Sequence, residues 1–126
     1  MSGWLIPCNP KLYDVCAAFQ NLSVIDWKQS MKNISVGDTV FIYVGAPIQA
    51  VLYKCRAVAV NKSNSTIDDS RFVICGETYQ HYGRYMELEL IYSFSPETYP
   101  LSYLKEHGLS GNVQGPRKFD ISNSPG

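Results

Sequence analysis

Residues 33–60 read NISVGDTVFIYVGAPIQAVLYKCRAVAV, and this stretch decides the fold. Gly37-Asp38 is a turn signal, since glycine takes a positive φ without steric cost. Thr39–Val44 follows as a β-branched and aromatic run, the composition of a strand buried on both faces. Gly45-Ala46-Pro47 interrupts it, because proline has no amide to give a ladder. From Gln49 to Val60 the pattern resumes, with Lys54 and Arg56 alternating against Tyr53, Cys55 and Ala57. That alternation predicts a strand with one wet face. Two strands joined by a tight Gly/Pro loop are the hub of a sheet or small barrel. Nothing in the hub is a catalytic motif, so function is sought at its rim.

Working outward, Tyr85–Phe94 (YMELELIYSF) alternates Met86, Leu88 and Leu90 against Glu87 and Glu89 and is a second clear strand. Its glutamates are expected to face Lys54 and Arg56 across an antiparallel pair. Trp4-Leu5-Ile6 predicts a short strand stopped by Pro7. Asn9-Pro10 reads as a helix start, with helical spacing of Leu12, Val15, Cys16 and Phe19 over 10–20. Val24–Ser30 is too short and mixed to assign. Residues 61–70 read as a polar loop, Phe72–Cys75 as a possible short strand, and 76–84 as a loop equipped with Tyr79, His81 and Tyr82. A short helix around Leu101–Lys105 ends at Gly108, a usual C-terminal stop. Residues 110–119 form a glycine-rich loop carrying Arg117 and Lys118. Residues 1–120 are expected to be one domain and 121–126 a linker.

The chain of 126 residues is long enough to bury a core without staples. Eleven basic and eleven acidic residues give zero net charge, which argues against bulk electrostatic nucleic-acid binding but leaves room for a reader of one base and a few phosphates. Charged residues make up 17% and aromatics 13%, nine of them Tyr, a balance that favours recognition by stacking and shape. Cys8, Cys16, Cys55 and Cys75 have no paired spacing, and His81 and His107 are far from any of them, so neither a zinc site nor a disulfide framework is expected. The opening MSGWLIPCNP does not have the pattern expected of a leader, no apolar run has the length of a membrane span, and a cytoplasmic location is expected.

Enzyme chemistry has little support. Neither histidine sits in a nucleophile motif. Asp68-Asp69 lies in a polar loop, and Glu87 and Glu89 are better read as cross-strand partners. The segment 111–118 (GNVQGPRK) is not a Walker loop, because its glycine spacing is wrong and no Ser or Thr follows the lysine. Its amides and cations still suit a phosphate contact through Gln114, Arg117 and Lys118. Trp27 stands between Asp26 and Lys28, a polar setting for an indole. As ordinary core it needs no further explanation. As one wall of a cavity open to solvent, with Tyr79, His81 or Tyr82 as the other, it would hold an extruded base. Asp26, Gln29, Asn9 and Gln114 are then placed to read the base by hydrogen bonds.

The order WLIPCNP, helix, IDW, GDTVFIYVG, AVLYKCRAV, an ELELI strand and LSYLKEHGLSGNVQGPRKF resembles the EVE domains of the PUA-like superfamily, which also contains the YTH and ASCH domains. The resemblance covers nearly the whole chain. It implies an α+β fold, a small mixed β-barrel of five to six strands, closed or nearly so, flanked by helices. It further implies a pocket for a modified nucleobase, drawing on Cys8 and Asn9 at the end of the first strand, on Trp27 after the first helix, and on the 79–82 loop, with Arg117 meeting a phosphate. The expected role is that of a reader of methylated or hydroxymethylated DNA, with no cofactor, in a modification-dependent restriction system, a nuclease or NTPase effector domain being expected to follow C-terminally in the same full-length protein. A reader of 6-methyladenine in RNA, and a protein-interaction or small-ligand module, are the alternatives.

Overall fold

A computed structural model describes residues 3–11, 14–29, 33–62, 84–109, 111, 113, 115–119 and 121. Its elements in chain order are β1 (Gly3–Cys8), α1 (Val15–Asn21), β2 (Val24–Lys28), β3 (Thr39–Val44), β4 (Ala50–Lys62), β5 (Tyr85–Ser93), α2 (Leu101–Glu106) and β6 (Arg117–Lys118). The strands form one six-stranded sheet in the order β2-β5-β4-β3-β1-β6. β1 and β3 run parallel and the other pairs antiparallel, so the sheet is mixed. The α+β class read from the sequence holds. The ring does not close: among the described residues no ladder joins β2 to β6.

The hub forms as its sequence dictates. Gly37 takes φ +96°, Thr39–Val44 is buried from Val40 onward, and β4 sends Cys55 and Ala57 inward and Arg56 outward. Two cores result, one on each face. The first spans the sheet from Trp4, Ile6 and Cys8 to Ile25 and Trp27, beneath Val15 and Ala18 of α1. The second gathers Leu5, Phe41, Tyr43 and Val51 under Leu104, Leu109, Val113 and Ile121, where α2 and the C-terminal segment cover the sheet. That cover explains the alternation. The face opposite α1 is dry at the β3-β1 end and wet at the β4-β5 end, where Arg56, Glu87 and Glu89 stand.

Several local expectations are corrected. β1 runs through Pro7, paired with Tyr43. Among the described residues the β6 ladder reaches only Trp4 and Leu5, so the far part of that edge of β1 is one where a proline is tolerated. The first helix begins at Val15 rather than Pro10. Asp14 caps it, Oδ1 accepting from the Ala17 amide at 3.1 Å, while Asn9 Oδ1 accepts from the Lys11 amide at 3.0 Å and closes a turn instead. Residues 24–28 are a strand. Arg56 does face Glu89, at 2.7 Å, but Lys54 lies opposite Tyr92, and Glu87 is met by Lys62 at 3.4 Å. The β4–β5 register shifts between Lys54 and Cys55 and again beyond Ala57, which changes how the β4 cations meet β5.

Candidate nucleic-acid interface

Cys8 ends β1, buried, and its carbonyl accepts from the Gly45 amide at 2.9 Å. A Cβ on Gly45 would sit 3.6 Å from that oxygen, so the 45–49 loop packs closely on the end of β1. Burial, then Cys16, then Asp14 push the Cys8 thiol up to about 12, so it is a neutral, inert group in the native state. Asn9 is exposed beside it. α1, seven residues and thus about 10 Å long, starts at this point and packs on β2. The helix therefore links the end of β1 to the strand that carries Trp27, although three strands separate β1 from β2 in the sheet.

Trp27 pairs with Met86 on β5 and is 7% exposed, within the same buried cluster as Cys8. It is thus a core residue in this state, not the solvent-facing wall that its polar neighbours predict. The strand alternates: Ile25 and Trp27 face α1, and Asp26 faces the other way. Asp26 is buried and binds Lys62, Nζ to Oδ1 2.8 Å, with Glu87 on the other side of the same ammonium. Burial alone would lower the Lys62 ammonium. The hydrogen bond and charge of Asp26, then those of Glu87, more than offset this and raise it. Gln29, also buried, donates Nε2 to Asn61 Oδ1 at 2.8 Å and accepts the Asn61 amide on Oε1 at 2.7 Å. Asp26 and Gln29 therefore direct hydrogen bonds to the end of β4 and fix β2 against it.

Lys62 and Asn61, which hold Asp26 and Gln29, are not legible in the sequence, because their polar surroundings read as loop. Asn61 takes φ +58°, in the left-handed region that asparagine tolerates well, at the irregularity in the β4–β5 register between Ala59 and Lys62.

Arg117 and Lys118 form β6 beside Leu5 and Trp4. Lys118 Nζ lies 5.5 Å from the centroid of the Trp4 ring, a cation–π distance. Trp4 in turn donates Nε1 to buried Asp38 at 3.1 Å. Four residue steps from Leu5 to Asn9 span about 13 Å, so these cations lie that far along β1 from the Cys8–Asn9 corner. Tyr79, His81, Tyr82 and Gln114 lie outside the described residues, as does Cys75. Cys8, Cys16 and Cys55 are thiols, with no disulfide among the described residues. Among the described residues no group of His, Cys, Asp and Glu is arranged to hold a metal, and no helix is long and apolar enough to cross a membrane.

The fold is that of ASCH domains. An ASCH protein from Zymomonas mobilis superposes with a TM-score of 0.63 at 12% identity, over 94% of this chain and 88% of that one. A point mutant of the same protein gives 0.60 at 12% identity, over 95% and 91%. Rpa0253 from Rhodopseudomonas palustris gives 0.53 at 13% identity, over 84% and 71%. At such identities the likeness is one of fold alone, and the narrower EVE resemblance finds no match among these structures. No protein-family model matches the chain, and no curated protein matches its sequence.

Proposed function

We propose that this chain is a nucleic-acid-binding domain that takes one modified base out of its strand, and that it acts by binding rather than by catalysis. The observation that carries this reading is the placement of α1, which packs on the Trp27 strand, adds Cys16 and Asp14 to the burial that raises the Cys8 thiol, and shares one buried cluster with Cys8 and Trp27 in an ASCH-like fold. The base enters beside the start of α1 and stacks on Trp27. Because the indole is covered, entry displaces part of that cover, and binding is coupled to local opening. Asn9 reads the base edge, and Arg117 or Lys118 meets a phosphate. Extrusion costs a few kcal/mol, and aromatic stacking at about 1–3 kcal/mol per contact offsets it. The role is that of sensor in a modification-dependent restriction system.

The test is a binding panel with the intact chain. DNA carrying 5-methylcytosine, 5-hydroxymethylcytosine or 6-methyladenine, RNA carrying 6-methyladenine, and their plain counterparts are titrated at fixed salt. Preference for a modified DNA supports the sensor reading, and preference for 6-methyladenine RNA reassigns the strand. Equal affinity for modified and plain strands removes base recognition. Absence of binding throughout leaves a protein-interaction or small-ligand module.

A further inference from the structure

Beyond the Cys8–Asn9 corner lies a groove lined by Ile48, Gln49, Pro100, Leu101, Ser102 and Lys105, with a volume of about 440 Å³. We infer that this groove is a second subsite, which holds a nucleotide flanking the extruded one and binds its phosphate through Lys105. The inference rests on the nucleic-acid reading above and extends it to a surface on the far side of the 45–49 loop.

Three observations carry it. The first is continuity. Cys8 pairs with Val44, Val44 with Ala50, and Ala50 bridges to Pro100. Three strand spacings of about 4.8 Å place the groove about 14 Å from the corner, within reach of a short single strand. The second is chemistry. Ile48, Pro100 and Leu101 offer an apolar wall for a base or sugar, and Gln49 and Ser102 offer hydrogen bonds. Among the described residues, Lys105 is the one charged group in the lining. A groove lined by a cation without a carboxylate among those residues favours an anionic ligand. Its volume falls within the range of small-ligand sites, about 300–1,000 Å³.

The third is rigidity. The Leu101 amide donates to the Gln49 carbonyl at 3.0 Å and the Val51 amide to the Tyr99 carbonyl at 3.0 Å, which ties the two walls together. Phe94, Tyr99, Tyr103 and His107 form a run of ring contacts at 4.9, 5.0 and 3.9 Å that anchors α2 and with it Lys105. The groove is therefore held open without a ligand, and the strand does not have to build it.

The test uses the intact chain and two fluorescein-labelled 12-nucleotide single strands, DNA with a central 5-methylcytosine and RNA with a central 6-methyladenine. Lys105 is exposed, so Lys105→Gln leaves the fold in place. One lost phosphate contact reduces the slope of log affinity against log salt by about 0.7, so between 50 and 200 mM salt the variant loses about 2.6-fold less affinity than the wild type. In amide spectra of the wild type, the strand is expected to shift Gln49, Leu101 and Ser102. A wild type that binds, with an unchanged slope in Lys105→Gln and silent groove amides, overturns the subsite and leaves the base-binding reading standing. A wild type that binds neither of these strands nor any other modified strand of the panel above overturns both.

Discussion

Replacing Trp27 by alanine separates a core indole from an open cage wall. The side chain is 7% exposed and packs among Ile25, Met86 and Leu88 on the α1 face. Deleting a buried aromatic costs about 3–5 kcal/mol, from lost transfer energy and the cavity left behind. Against a typical domain stability of about 5–15 kcal/mol, this is a large fraction. Equilibrium denaturation in urea should show the midpoint falling with an unchanged slope. Trp27→Leu and Trp27→Phe fill more of the space, and a cost of about 0.5–3 kcal/mol is expected for each. Those two variants then divide packing from recognition. The phenylalanine variant would keep a ring to stack on, whereas the leucine variant should lose about 1–3 kcal/mol of affinity for a modified strand. A Trp27→Ala protein within about 1 kcal/mol of wild type would refute the packing argument.

Lys62→Met leaves Asp26, whose side chain is 3% exposed, beside Glu87 without the ammonium they share, and should cost about 3 kcal/mol by thermal or chemical unfolding. Because Lys62 is raised in the fold from its ordinary 10.5, its contribution is complete below that value and is lost as pH rises through the folded value. The alkaline fall in stability should therefore be shallower in the variant. Arg56→Ala should cost only about 0.2–1 kcal/mol, since the Arg56 and Glu89 side chains are 53% and 37% exposed, and 1 M salt should erase most of the difference. Cys8 and Cys55, both buried with thiols pushed up chiefly by burial, should resist iodoacetamide at pH 8 until the protein is unfolded, as read by mass spectrometry.

The strands of the hub are legible in the sequence because their signals are redundant. β3 is β-branched and aromatic throughout, and β4 and β5 alternate cleanly where one face is wet. Gly37, in the turn before β3, and Gly108, just past α2, take φ +96° and +107°, a region where glycine sits without strain. β2 is not legible, since five residues give too little alternation to separate Ile25 and Trp27 from Asp26 and Lys28. The helix start is hard to place because Asn9 caps a turn with the same side-chain acceptor that caps a helix. The polar neighbours of Trp27 suggest an exposure it does not have: Asp26 is buried by its pairing with Lys62, a partner 36 residues away that no local pattern reveals. The two-residue strand β6 exists only through its pairing with β1. Of the candidate site, the sequence locates Cys8, Asn9, Trp27 and a helix between them, but not that helix's start at Val15 or its packing on β2.

Base extrusion is the central claim, and 2-aminopurine reports it most directly. The fluorophore is placed next to the modified base in the strand that binds best, and its emission is followed as the intact chain is added. Extrusion unstacks the neighbour, so emission should rise in step with binding for the modified strand and stay flat for the plain one. Saturated binding of the modified strand with no rise in emission would contradict the account.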